Sequence, residues 1–130
     1  MTLFIDTSLA EIISLALHLK NGVVYTKKLK AAQRQGERLI PALHKLLLDK
    51  KLSLEDIKKI VVVNQGGSFT SLRIGVITAN ALAYALNIPV EPAGSKKSFA
   101  KEIKKFNGHN IVMPRYSADP EIYQLKKMVA

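Results

Sequence analysis

Apolar residues recur along the chain with two different periods, and the switches between them mark out its elements. Leu3-Phe4-Ile5 is a short apolar run ending in Asp6-Thr7-Ser8. From Glu11 to Lys20 the side chains alternate, with Ile13, Leu15, Leu17 and Leu19 on one face and Ile12, Ser14, Ala16 and His18 on the other. That period of two predicts a strand with one buried face. Asn21-Gly22 predicts a hairpin, and Val23 to Leu29 the returning strand, with Val24, Thr26 and Lys28 opposing Val23, Tyr25 and Lys27. Over 33–51 the period becomes helical, with Leu39, Ala42, Leu43, Leu46 and Leu47 in one stripe. Pro41 places the helix start, or a kink, near itself. Ser53 and Asp56 predict a short capped turn.

Residues 60–91 organise the rest. Ile60 to Val63 are four consecutive β-branched residues, which predicts a strand buried on both faces. Gly66-Gly67-Ser68 breaks it, and an apolar pattern of helical length runs from Thr70 to Leu86. Asn87 stops that helix, and Ile88-Pro89-Val90 opens another extended piece. Strand, glycine turn, helix and strand predict a crossover between parallel strands. The helix is apolar nearly all round. Leu72, Val76, Ala79, Ala83 and Leu86 fall on one face, and Ile74, Ile77, Ala81, Leu82 and Ala85 cover most of the rest. One side can rest on its own sheet; the other calls for a second lobe, a neighbouring helix or another protein. Burial of both helices wholly within this chain is the alternative.

Beyond Val90 the character changes. Pro92 and Gly94 mark a boundary, dividing the chain into an N-terminal lobe (1–92) and a basic C-terminal segment (93–130). Ser95 to Phe106 predicts a lysine-rich helix with Phe99, Ile103 and Phe106 as its stripe and Asn107-Gly108 as its stop. Ile111-Val112-Met113 predicts one more short strand.

The 130 residues, 48% of them hydrophobic, suffice for one compact domain with a real core. With no cysteine there is neither a disulfide nor a thiolate metal site. Met1 leads straight into a strand, and the longest apolar run falls short of a membrane span, so a cytoplasmic location and no membrane partner are expected. The net charge of +10 attracts polyanions, RNA included. The excess is mostly lysine, with Arg34, Arg38, Arg73 and Arg115 the four arginines, and specific phosphate forks favour arginine.

Candidate chemistry is sparse. The glycine turn opens a helix, so its free N–H groups could hold an anion, or Ser68 or Thr70 could cap them. Asp6-Thr7-Ser8 could grip a metal-bound phosphate at a strand end, or simply make a turn. His18, His44 and His109 lack ligand spacing, and no serine has a nucleophile-elbow setting, so neither a catalytic site nor a metal site is expected.

Residues 65–75, QGGSFTSLRIG, resemble the GPGSFTGLRIG signature of the TsaB (YeaZ-type) family, departing at Gln65, Gly66 and Ser71. Phe4-Ile5-Asp6-Thr7-Ser8 resembles that family's AIDTS opening. Glu37-Arg38-Leu39-Ile40-Pro41 resembles its ERLLP helix start, with Gln35-Gly36 in place of the usual His-Ser. Pro114-Arg115-Tyr116 faintly resembles its Pro-x-Tyr tail. The similarity covers most of 2–91. It implies one lobe of the actin-like, sugar-kinase and Hsp70 ATPase (ribonuclease H-like) fold, an α/β lobe of order β-β-β-α-β-α-β. Longer members carry a whole second lobe, which the segment 93–130 replaces here.

The resemblance further implies a non-catalytic subunit in the formation of threonylcarbamoyladenosine in tRNA. TsaB pairs with the transferase TsaD through its N-terminal helices, and the small ATPase TsaE docks on the pair. The expected interface is Leu39, Leu43, Leu46, Leu47, Val76, Ala79, Leu82, Ala83 and Leu86. The two metal-binding histidines of TsaD align with Ala31 and Gln35. No cofactor is expected on this chain by itself; ATP or ADP with Mg2+ belongs to the partner complex, and tRNA is reached through it. Two other classes stay open: a homodimer built on the same helices, and a kinase-like enzyme with Asp6, Thr7, Ser8, Ser68, Thr70 and Arg73 facing nucleotide phosphates.

Overall fold

The computed structural model describes residues 1–93, 103–106 and 109–113. Three strands come first: β1 (Thr2–Asp6), β2 (Ile12–His18) and β3 (Val24–Lys30). Helix α1 (Gln35–Asp49) follows, then a 3-10 turn over Leu54–Asp56 and strand β4 (Lys59–Val63). Helix α2 (Phe69–Leu86) leads to β5 (Val90–Ala93), and β6 (Ile103–Phe106) and β7 (His109–Val112) form a second small sheet. The main sheet has the order β3-β2-β1-β4-β5. Neighbours pair antiparallel through β1–β2–β3 and parallel through β1–β4–β5, as the expected crossovers require.

The hairpin forms, but with a longer loop than Asn-Gly usually gives. Leu19 N–H donates to the Val23 carbonyl (2.9 Å), leaving Lys20-Asn21-Gly22 as the loop. Gly22 takes the positive φ (+88°), while the Asn21 carboxamide accepts from Val23 N–H (3.0 Å). This is the three-residue solution, with glycine in the left-handed position.

Both helices pack on one face of the sheet. Leu3 and Ile5 of β1, Ile13, Leu15 and Leu17 of β2, and Ile60 and Val62 of β4 are buried there. Against them lie Leu39, Ala42, Leu43, Leu46 and Leu47 of α1 and Leu72, Val76, Ala79 and Ala83 of α2. The expected burial of β4 on both faces is therefore half wrong. Val61 and Val63 are only partly buried, lining with Phe4, Ala16, Thr26, Lys28 and Ala93 a depression of about 280 Å³ on the other face. On that face the His18 ring stacks at 4.2 Å from Phe4, a structural place for a histidine.

Helix α1 begins six residues before Pro41, which sits exposed in its interior. Asn87 ends α2 in the left-handed conformation (φ +55°). The helix expected over Ser95–Phe106 is contradicted at its end: Ile103–Phe106 is strand β6, pairing with β7 from Phe106↔His109 to Ile103↔Val112. The spacing Ile103-Lys104-Lys105-Phe106 is a helical i, i+3 pair and puts its two apolar residues on opposite faces of a strand, so pairing with a neighbouring strand overrode the local pattern. Phe99 and Pro114-Arg115-Tyr116 lie outside the described residues.

The strand expected near Ile111 is β7, and it belongs to the core. Val112 is fully buried, and the Asn80 carboxamide of α2 grips its backbone, donating to the carbonyl and accepting from the N–H, both at 2.8 Å. Strand β5 runs through Pro92 to Ala93, so the strand crosses the boundary expected there. We predict that Asn80→Ala costs about 1–3 kcal/mol, because it orphans two buried backbone groups. Urea unfolding should show the lower midpoint, and hydrogen exchange should speed at the Val112 amide first.

Candidate functional site

The strand-end residues and the glycine turn meet, as a site at this place would require. Their polar atoms, however, are turned on one another. Thr7 is fully buried; its hydroxyl donates to the Ser71 carbonyl (2.6 Å) and accepts from Gly75 N–H (3.1 Å). Those two backbone groups stand one turn apart in α2, so a single side chain pins the end of β1 to the first turns of the helix. Asp6 accepts from both the N–H (2.9 Å) and the hydroxyl (2.6 Å) of Ser8, the hydrogen bonds of a turn. Ser68 N–H donates to the Ser8 carbonyl (2.8 Å), tying the glycine turn to the same segment.

Two glycines make the approach possible. A Cβ on Gly75 would strike the Thr7 hydroxyl, and one on Gly67, whose φ is +84°, would strike the Ser8 carbonyl oxygen. A mid-helix glycine costs about 1 kcal/mol against alanine, so Gly75 was a readable sign of close packing. At Gly66, φ is +77°, a conformation closed to proline. The departure from the family's Gly-Pro-Gly at this point is thus a different turn.

The other expected residues scatter. Ser68 occupies the N-cap of α2 without a side-chain cap bond; instead the Ser71 hydroxyl donates to the Ser68 carbonyl (3.2 Å). Thr70 and Arg73 are exposed along α2. Ala31 and Gln35, the positions aligned with metal-binding histidines, are both buried. The Gln35 amide donates to the carbonyls of Leu9 (3.0 Å) and Ala10 (2.6 Å), anchoring the start of α1 to the β1–β2 turn. His44 is exposed on α1, and among the described residues no cluster of histidines and acids could hold a metal. Asn64, at the end of β4, is fully buried; it donates to the Met113 carbonyl (3.0 Å) while its own oxygen has no partner. Its role in holding β7 was not readable, since the partner is 49 residues away.

Most of the expected interface residues are core. Leu39, Leu43, Leu46, Leu47, Val76, Ala79 and Ala83 are covered by this chain's own sheet and helices, and Leu82 and Leu86 are half-buried beside them. The sheet of this chain itself takes those faces: the single apolar stripe of α1, and on α2 the face that Thr7 and Asn80 fix. Left outside are Ile40 and Leu48 of α1 and Ile77 and Tyr84 of α2, between 47% and 61% exposed. On α2 the sheet lies beneath, α1 is packed alongside and Asn80 faces β7, so the Ile77–Ala81–Tyr84 stripe is turned outward.

A family model described as "TsaD: tRNA N6-adenosine threonylcarbamoyltransferase" matches residues 12–118. Several curated relatives are called TsaB, and a tRNA N6-adenosine threonylcarbamoyltransferase of Brachyspira hyodysenteriae matches at 37% identity over 60 residues, covering 46% of this chain and 18% of that one. The chain belongs to the TsaB (YeaZ-type) family. It is 35% identical over 96 residues to the tRNA threonylcarbamoyladenosine biosynthesis protein TsaB of Bacillus subtilis, an alignment covering 74% of this chain and 39% of that one. The solved YeaZ of Pseudomonas aeruginosa superposes with a TM-score of 0.63 at 30% identity, over 72% of this chain and 42% of the other. A further structure, of an uncharacterised protein described as similar to peptidase YEAZ from Pseudomonas aeruginosa, gives 0.66 at 21% identity over 88% and 63%, and speaks for the fold alone. The lobe thus has the actin-like, ribonuclease H-like fold, and the chain spans about two fifths of the length of the TsaB and YeaZ relatives compared first. No helix among the described residues is long and apolar enough to cross a membrane.

Thr7→Val keeps the shape and removes the hydroxyl that bridges Ser71 and Gly75. We expect a loss of about 1–3 kcal/mol in chemical denaturation. Gly75→Ala should cost at least as much, and Thr7→Ser should recover most of the stability.

Proposed function

We propose that this chain is a non-catalytic scaffold subunit in the formation of threonylcarbamoyladenosine in tRNA, which binds and activates a TsaD-type transferase. The names of its relatives supply the pathway. The observation that carries the scaffold role is the outward apolar stripe on the helix pair. Ile77 and Leu48 are about 60% exposed, an unusual place for two large aliphatic side chains on a lobe whose core is otherwise well filled. Covering such groups is worth roughly 25 cal/mol for each Å² removed from water. A partner helix laid along them would complete the layer that α1 and α2 begin.

The strand-end hydroxyls and carboxylate support the non-catalytic part of this reading. Thr7, Asp6 and Ser8 spend their hydrogen bonds on the chain itself, as described above. Nucleotide and Mg2+ would then reside in the complex with the transferase, where a TsaE-type ATPase also docks, and the chain would work in the cytoplasm beside its tRNA substrate. A homodimer through the same stripe is the competing reading, since exposed apolar side chains serve a second copy equally well.

Leu48→Asp and Ile77→Asp should each weaken binding to the TsaD-type protein of the same genome by tenfold or more in calorimetry. Both positions are exposed, so the stability of the lobe should shift by no more than about 0.5 kcal/mol. Leu43→Arg, by contrast, should unfold the lobe rather than report on the partner, because it buries a charge. Unchanged affinity in both surface variants would remove the proposed interface. A doubling of mass by light scattering, abolished by the same variants, would give the stripe to a second copy instead.

A further inference from the structure

We infer that the edge formed by β3 and α1 is a binding surface for the phosphate backbone of RNA. Between Lys20 and Lys51 the chain carries nine lysines and arginines against two acids, Glu37 and Asp49, a net +7 of the whole molecule's +10. The fold gathers this charge on one side. Helix α1 lies antiparallel to β3: the Arg38 guanidinium donates to the Lys30 carbonyl (3.2 Å) at one end, and the Lys50 ammonium sits 4.7 Å from the Tyr25 ring centre at the other. Between them runs a shallow groove of about 380 Å³, whose charged lining is Lys27, Arg38 and Lys45 with Glu37.

Lys28 and Lys30 are exposed on the opposite face of the same edge strand, and Arg34 at the start of α1 continues the track. The ion pair Lys59–Glu91 lies across β4 and β5, well away from it. Along the helix the cations extend for about 24 Å from Arg34 to Lys50, at 1.5 Å per residue.

The form of this surface suits a phosphodiester chain. It is long, and lysine dominates, which gives strong attraction with little demand on geometry. An acidic protein partner would need a buried anchor at its centre. Of the large exposed side chains of α1, Ile40 stands off this flank, and Leu48, one turn beyond Lys45, borders it at one end and not at its centre. The choice of RNA among polyanions rests on the function proposed above; the placement of the surface does not.

The test is binding of a fluorescent tRNA transcript to the full chain, read by anisotropy between 50 and 300 mM salt. Lys27→Gln/Lys28→Gln/Lys30→Gln should lose affinity tenfold or more, and the slope of log affinity against log salt should fall by about two to three. Lys58→Gln/Lys104→Gln/Lys105→Gln, which removes the same net charge elsewhere, should lose less than threefold. Equal losses in the two triple variants, or none in the first, would overturn the proposal. So would a poly-glutamate peptide or anionic vesicles (phosphatidylserine with phosphatidylcholine) competing as well as RNA at equal charge. Calorimetry of the β3 variant with the TsaD-type protein separates the two claims. If partner binding persists while RNA binding is absent in the parent chain, the RNA surface alone fails. RNA binding confined to this edge without any partner binding leaves this surface standing and removes the scaffold.

Discussion

One hydroxyl group holds the lobe's two halves in register. Thr7 ends the central strand and reaches into the backbone of α2, where it meets a carbonyl and an N–H one turn apart. A helix lying over a sheet is free to slide and rotate unless something polar fixes it, since apolar contacts are non-directional. Here the fixing group is buried, so any displacement of α2 would leave the Thr7 hydroxyl unpaired in a dry interior. From that point the rest follows. The position of α2 sets the crossover into β5, and Asn80, further along the helix, sets β7. The family signature is the sequence of this latch: a hydroxyl on the strand, a glycine opposite it in the helix, and a second glycine where the turn passes the Ser8 carbonyl.

A lobe with both helices on one face of its sheet leaves two surfaces to account for. The helix layer exposes Leu48 and Ile77 outward, and the far side of the sheet exposes Phe4, Val61 and Val63 in a shallow depression among the described residues. These are not equivalent. On the sheet, neighbouring side chains shield one another and leave each mostly covered, and the Phe4–His18 contact covers more. On a helix, an outward aliphatic side chain has neighbours only along its own row. The helix stripe is therefore the surface with more to gain from a partner.

Much of the fold could be read from periods. Strict alternation in β2 placed the right residues inward, and the stripe in α1 picked out the residues that are buried, though against this chain's own sheet and not against the expected partner. The reading was weakest where an element is apolar all round. In α2 periodicity ranks no face above another, so which side met the sheet was decided by Thr7 and Asn80, partners 64–68 and 32 residues away. β6 was misread because Ile103 and Phe106 have helical spacing and only a partner strand could override it, and β4 because β-branched residues serve a half-covered face as well as a buried one. For the candidate site, the motif pointed to the right place and left its use undecided. Asp, Thr, Ser and Gly at a strand end serve an anion and a turn alike, and only the geometry shows the hydroxyl turned inward.

Helix α1 shows how one short element can serve three neighbours. Its sheet-facing leucines, its outward Ile40 and Leu48, and its flank of Arg38 and Lys45 occupy different sectors of the same 15 residues. Helical geometry permits this, since each sector receives a residue every three or four positions. The arrangement also answers a hazard of exposed apolar groups. An uncovered aliphatic stripe invites indiscriminate association, and a dense positive flank beside it opposes contact with a second, equally charged copy. Repulsion between like edges acts at the distance of the Debye length, about 8–10 Å at moderate salt, and so operates before the apolar stripes touch. A partner whose facing surface is neutral or acidic escapes that penalty. The charge that makes the lobe basic thus biases the stripe towards a different polypeptide over self-association, and a bias of that origin weakens as salt screens it.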